Sequence, residues 1–154
     1  MSAQPEAIRR FRPMTTADLD EVEAIERAVY THPWTRGNFT DSLESGYHCW
    51  ILEGRGGIAA YCVVMIAAGE AHLLNLSVAA ALQRRGLGSE LLEFVIGLAR
   101  EHGAATLYLE VRESNVAGRR LYARHGFAEI GMRRDYYPHA TGREDAVTME
   151  RKLG

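Results

Sequence analysis

The sequence predicts an α/β protein of the α+β type, with a mainly antiparallel mixed sheet, a central parallel strand pair and helices on both faces. Three observations lead there. Tyr47–Glu53, Ile58–Ala68 and Ala71–Val78 are β-rich and follow one another across short glycine-containing turns, the pattern of an antiparallel meander. A long amphipathic helix then precedes another β-rich stretch, Thr106–Val111, and a helical crossover is the usual way to join parallel neighbours. Phe127–Met132 and Ala146–Lys152 close the chain as a strand pair.

Ile8–Arg12 reads as the first strand. Thr15-Thr16-Ala17-Asp18 resembles a capping box opening a helix with Leu19, Val22, Ile25, Ala28 and Val29 as its apolar face, ending near Tyr30. His32-Pro33-Trp34-Thr35 is a turn, Thr35 caps a short helix containing Phe39 and Leu43, and Ser45-Gly46 stops it. If Glu53 and Ile58 face each other across Gly54-Arg55-Gly56-Gly57, counting back places Cys49 opposite Cys62. Gly69-Glu70 turns the chain into the next strand. In the crossover helix Leu91, Leu92, Val95, Ile96, Leu98 and Ala99 share one side, Glu90, Glu93, Arg100 and Glu101 the other, and Gly103 ends it. Asn115–His125 reads as the last helix.

At 154 residues, 47 % hydrophobic and 25 % charged, the chain has the size and composition of one domain spanning 1–154. A net charge of −2 provides no overall field for nucleic acid or an anionic membrane, so no direct nucleic-acid binding is expected. The apolar run Ile58–Ala68 is short of a membrane span, and MSAQPEAIRRFRP lacks a signal-peptide core. The expectation is a cytoplasmic protein with reduced cysteines. Six histidines and two cysteines fall in no recognised ligand spacing, so no metal is expected.

The segment Gln83-Arg84-Arg85-Gly86-Leu87-Gly88-Ser89 follows a strand and opens the long helix. Free amides at a helix start, the positive end of its dipole and two arginines suit a pyrophosphate; a connecting loop with solvated arginines is the plainer alternative. It is neither GxxxxGK[ST] nor GxGxxG, since Leu91 stands at the third glycine position. In Thr106–Val111, alternation puts Leu107, Leu109 and Val111 on one face and Tyr108 and Glu110 on the other. Glu110 reads as a salt-bridged carboxylate or a base, Tyr122 as a boundary aromatic and Asn115 as an N-cap.

Gln83-Arg84-Arg85-Gly86-Leu87-Gly88 resembles the Q/R-x-x-G-x-G/A acetyl-CoA motif of the GNAT superfamily of N-acetyltransferases, and the element order is similar along nearly the whole chain. The resemblance implies the GNAT fold and acetyl-CoA as co-substrate. It assigns Leu76, Ser77 and Val78 to the pantetheine and thioester, and Arg84, Arg85, Gly86, Leu87, Gly88 and Ser89 to the phosphates. Within that superfamily, Glu110-Val111-Arg112 with Ser114-Asn115, then Leu121-Tyr122 and Gly126-Phe127, is similar to the ribosomal-protein alanine N-acetyltransferase (RimI) group. By that resemblance Glu110 is the base, Tyr122 the acid and Asn115 a coenzyme contact. Two further signatures belong to it: His32-Pro33-Trp34-Thr35 with Phe39, and Arg133-Arg134-Asp135-Tyr136-Tyr137-Pro138 leading to Glu144–Met149. They imply that Trp34, Tyr136 and Tyr137 bind the acceptor. Asp135 departs from the asparagine or glycine common there.

The implied reaction is direct acetyl transfer to the α-amine of a protein, the N-terminal alanine of ribosomal small-subunit protein eighteen. The alternatives are a GNAT enzyme acting on lysine or a small-molecule amine such as an antibiotic, and a non-catalytic coenzyme-binding module. Neither Cys49 nor Cys62 has an evident base, so no acyl-enzyme is expected.

Overall fold

The structure is a computed structural model, described here for residues 10–154, so Ile8 and Arg9 of the expected first strand lie outside the described residues. The described chain runs β1 (Arg10–Pro13), α1 (Leu19–Val29), α2 (Arg36–Glu44), β2 (His48–Gly54), β3 (Gly57–Ala67), β4 (Glu70–Val78), α3 (Leu87–Glu101), β5 (Thr106–Arg112), α4 (Val116–Arg124), β6 (Ala128–His139) and β7 (Gly142–Lys152), with single 3-10 turns at Thr16–Asp18 and Ala80–Leu82. The strand order is β1-β2-β3-β4-β5-β7-β6. β4 and β5 form the expected parallel pair at the middle of that order, while β1–β2, β2–β3, β5–β7 and β6–β7 are antiparallel. By contacts the chain divides into two compact units, residues up to 64 with 75–91, and 65–74 with 92–154.

In the first unit, Leu19 and Val22 of α1 and Phe39 of α2 are buried with Cys49, Ile51, Tyr61 and Val63 of the hairpin. The Asp18 carboxylate accepts the Thr15 N–H at 2.8 Å, as the capping-box reading expects, and the helix behind it begins with a 3-10 turn. α2 has the expected cap, with the Asn38 N–H donating to the Thr35 hydroxyl at 3.2 Å. Arg12 joins β1 to both neighbours, bonding Asp18 at 2.7 Å and Glu53 at 2.6 Å; those hydrogen bonds hold both carboxyls below their usual range.

The hairpin corrects the cysteine register. Glu53 does face Ile58, but Leu52 faces Ala60, so Ala59 is an extra residue bulged out of β3. Every pair before it shifts by one: Cys49 faces Val63 and Cys62 faces Trp50, and the expected Cys49–Cys62 pair does not form. Both thiols are free and buried. The Ala59 carbonyl accepts the N–H of Ala79, immediately after β4, at 2.9 Å. The bulge therefore fixes the end of the strand that leads into the glycine loop.

On α1 the inward positions also differ from the expected set. Ala28 is exposed, and Glu26, one turn after Val22, is only 2 % exposed. Its Oε1 accepts from the Tyr61 hydroxyl at 2.6 Å and Asn75 Nδ2 at 3.2 Å, and its Oε2 accepts the Trp34 N–H at 3.0 Å. Asn75 Oδ1 then accepts from Ser77 Oγ at 2.6 Å, which lies 2.7 Å from the Tyr30 hydroxyl. Burial pushes the Tyr30 phenol up to about 12, and burial with the bond to Glu26 raises Tyr61. This chain of hydrogen bonds joins α1, the Trp34 turn, β3 and the end of β4.

In the second unit, β4 pairs with β5 from Glu70–Thr106 to Leu73–Leu109, and Glu110 faces Thr148 of β7. Strand alternation holds: Leu107, Leu109 and Val111 are buried, while Tyr108, on the Glu110 face, stacks on His72 at 5.1 Å. The closing strands run further than expected, β6 to His139 and β7 from Gly142. Pro138 is tolerated because β6 is the outer strand and needs no second ladder.

Replacing Glu26 with alanine would leave three donors without an acceptor and should cost about 3 kcal/mol or more, whereas Tyr61→Phe removes one hydroxyl and should cost about 1–2 kcal/mol. Urea unfolding of the two variants measures this. Equal losses would mean that Glu26 is not the centre of the network.

Candidate active site

Of the expected coenzyme residues, Leu76 to Val78 and Arg84 to Ser89 belong to the first unit, and Asn115 to the second. Leu76, Ser77 and Val78 lie past the last β4–β5 pair. Ser77 is 2 % exposed, its side chain committed to the buried network, so only its backbone can meet a ligand. The Leu76 carbonyl accepts from the Tyr30 hydroxyl and the Val78 carbonyl from Gln83 Nε2, both at 3.2 Å. The first residue of the loop motif thus ties the loop to the strand.

The turn itself is made by two left-handed residues, Arg84 at φ 65° and Gly86 at φ 82°. A left-handed residue within a turn aims successive amides to one side, a concavity suited to an anion. Leu87 is buried and anchors the helix start, and the Glu90 N–H reaches the Gly86 carbonyl at 3.1 Å, so Leu87, Gly88 and Ser89 make up the first turn, at the positive end of the helix dipole. Nothing lies within 4 Å of a Cβ built on Gly86. Arg84 and Arg85 are exposed, and neither forms an ion pair among the described residues. Amides, dipole and two cations around open space fit a pyrophosphate.

The second unit carries the groups expected for chemistry. Glu110 is paired with Arg133 of β6, and its side chain is 22 % exposed. The Arg133 guanidinium sits 5.4 Å over the Tyr136 ring, which meets Tyr137 edge-on at 4.9 Å. Arg112 lies 4.6 Å over Tyr137 and is anchored to the Pro138 carbonyl at 2.7 Å and to Glu144 at 3.2 Å. Hydrogen bonds from Ser114, then Arg112, hold Glu144 below its usual range. Burial and the nearby Glu110 charge raise both tyrosines, Tyr137 the more strongly.

Tyr122 is half-buried on α4, its ring edge-on to Phe127 at 5.8 Å. Asn115 is the N-cap of that helix: its Oδ1 accepts the Gly118 N–H at 2.9 Å. Gly118 has a reason of its own, since a Cβ there would lie 2.7 Å from Asn115 Nδ2. Trp34 is partly buried and packs against the core, its ring 5.1 Å from Phe39.

Asp135 explains the shape of the Tyr136–Tyr137 segment. Between the pairs Arg133–Ala146 and Tyr137–Glu144, β6 carries more residues than β7, and Asp135 at the bulge has φ 53°. Its N–H donates to Asp145 at 2.8 Å, and Arg143 donates to the Asp135 and Tyr136 carbonyls at 2.7 and 2.9 Å. Asparagine, glycine and aspartate all tolerate this left-handed conformation, so the departure from the RimI pattern keeps the backbone.

Reading residues one at a time missed Glu26, the tie made by Gln83, and the partners Arg112, Arg133 and Glu144. A charged residue at an inward helical position was the available signal for Glu26. Among the described residues no group of histidine, cysteine, aspartate or glutamate is arranged to hold a metal, and no helix is long and apolar enough to cross a membrane.

For the bulge, Asp135→Gly should leave stability and acceptor kinetics near those of the parent, while Asp135→Val should lose about 1–2 kcal/mol from its left-handed β-branched residue. Thermal unfolding compares them. Equal stability of all three would show that the φ does not constrain the position.

Comparison with known proteins follows the same lines. Residues 19–127 match the model of the acetyltransferase (GNAT) family. The chain is 40 % identical over 136 residues to the [ribosomal protein bS18]-alanine N-acetyltransferase of Escherichia coli strain K12, covering 88 % of this chain and 92 % of that one. It is 35 % identical over 133 residues to the enzyme of the same name from Haemophilus influenzae strain Rd, covering 86 % and 90 %. The crystal structure of the ribosomal-protein-S18-alanine N-acetyltransferase from Escherichia coli superposes with a TM-score of 0.89 at 37 % identity, covering 96 % of this chain and 95 % of that one. With the glycine loop, the parallel pair and the strand-borne glutamate in the expected order, the chain belongs to the GNAT family of acetyltransferases, whose co-substrate is acetyl-CoA.

Proposed function

We propose that this enzyme acetylates the α-amine of the N-terminal alanine of ribosomal protein bS18, by direct transfer from acetyl-CoA in a ternary complex. The observation that carries the reading is the likeness, along most of both chains, to the Escherichia coli enzyme of that activity. A ribosomal-protein acceptor implies a cytoplasmic enzyme.

The residue roles follow from chemistry. Leu76 and Ser77 offer backbone to the pantetheine, and the loop from Arg84 to Ser89 holds the pyrophosphate, with Asn115 beside the coenzyme. The Val78 amide stabilises charge developing on the thioester oxygen. Trp34, Tyr136 and Tyr137 are the residues assigned to binding the acceptor terminus. An α-amine has a pKa of about 7.7–8.0 against about 10.4 for lysine, so near neutrality a useful fraction is already uncharged. Its nitrogen attacks the carbonyl carbon, its proton passes to Glu110, the carbon–sulfur bond breaks, and Tyr122 protonates the departing sulfur.

A peptide beginning with free alanine should be acetylated at its α-amine, and the same peptide blocked there should not react even when it contains lysine. Mass spectrometry locates the acetyl group. Predominant lysine modification, or turnover of aminoglycosides alone, would move the enzyme to another substrate class.

Gly88→Val should weaken acetyl-CoA binding in calorimetry while leaving the fold intact, because a branched side chain in the first turn obstructs close approach of the phosphates. Unchanged affinity would remove the loop from the site.

Glu110→Gln should lower single-turnover rates about a hundredfold or more near neutrality, and the defect should shrink as pH rises past about 8, where the acceptor deprotonates unaided. Tyr122→Phe removes the proton offered to sulfur, so its defect should persist over that range. Near-normal rates for both variants at neutral pH would exclude these roles.

A further inference from the structure

We propose that Arg133 is an internal stand-in for the acceptor's ammonium group: its guanidinium occupies the cation subsite made by Glu110 and the Tyr136 ring, and the acceptor must displace it. The inference rests on the assignment of Glu110 to the reacting end of the acceptor.

The subsite is defined by what now fills it. A carboxylate and an aromatic face together form a site for a positive nitrogen bearing N–H donors, which describes a guanidinium and an α-ammonium equally. Arg133 uses both surfaces, pairing with Glu110 while lying over Tyr136.

Arg133 is also built to leave. Its side chain is 61 % exposed, on the outer strand, at the start of the β6 bulge. A pair with so exposed a partner is weak, because water screens it and a long side chain loses freedom in making it, so a well-placed ligand can overcome it. The other arginine of the cluster contrasts with it. Arg112 is held by the Pro138 carbonyl, Glu144 and the Tyr137 face, and it has no reason to move when an acceptor arrives. One cation braces the site and the other keeps the place of the substrate. Arg133 therefore raises acceptor KM by competition and should leave kcat alone once the acceptor is bound.

The test compares Arg133→Gln, Arg133→Lys and Arg134→Gln with the parent enzyme, using a peptide that begins with free alanine. Arg134→Gln makes the same change in net charge at the next residue and controls for long-range electrostatics. Arg133→Gln should lower acceptor KM about two- to fivefold with kcat unchanged, the ratio that corresponds to an exposed pair. Calorimetry with CoA present should give the same ratio in acceptor Kd. Arg133→Lys and Arg134→Gln should resemble the parent. An unchanged or raised KM in a folded Arg133→Gln enzyme, while the parent still acetylates the peptide, would overturn the displacement and leave the function standing. Absence of α-amine acetylation by the parent would overturn both.

Discussion

A carboxylate sealed from water needs either a cation or a full set of donors, and Glu26 has the donors. Tyr61, Asn75 and the Trp34 backbone supply them from three different parts of the chain. Because Asn75 gives its amide to Glu26, its carbonyl oxygen must face Ser77, and the Ser77 hydroxyl must donate to it. That leaves the Tyr30 hydroxyl to donate toward Ser77 or the Leu76 carbonyl. The direction of these bonds between the α1 side and the end of β4 follows from one side chain. The turn bearing Trp34 is held by the same group, so the expected acceptor wall and the expected thioester strand of this unit share a support.

Two bulges do the remaining positioning. Ala59 leaves the β2 ladder and uses its carbonyl to hold Ala79, fixing where β4 stops and the glycine loop begins. On β6 the bulge around Asp135, pinned by Asp145 and Arg143, sets Arg133 and the two tyrosines beside Glu110. In both places extra residues, one on β3 and two on β6, break regular pairing beside groups expected to belong to the site. The strain of a left-handed aspartate is tolerated there because three hydrogen bonds over-determine it.

The sequence by itself determined the elements, because each depends on neighbours a few residues away: apolar periodicity in α3, alternation in β5, caps at Thr15, Thr35 and Asn115. Alternation likewise separated Glu110 from the buried face, and the glycine loop suited an anion by its local backbone needs, a reading that resemblance then favoured over a plain connecting loop. The roles of Glu110, Tyr122 and Asn115 rested on resemblance, since a strand carboxylate, a helix tyrosine and an N-cap look ordinary in isolation. Tertiary structure alone decided register and partnership. Whether Cys49 meets Cys62 turned on one bulged residue that leaves no mark in composition. Glu26 turned inward because donors distant in sequence awaited it, and the pairing of Arg133 with Glu110 depended on β6 and β7 extending past the point where arginine, aspartate and proline disguise a strand. Local patterns fix what a segment becomes; which side chains it meets is set by ladders that join residues far apart in the chain.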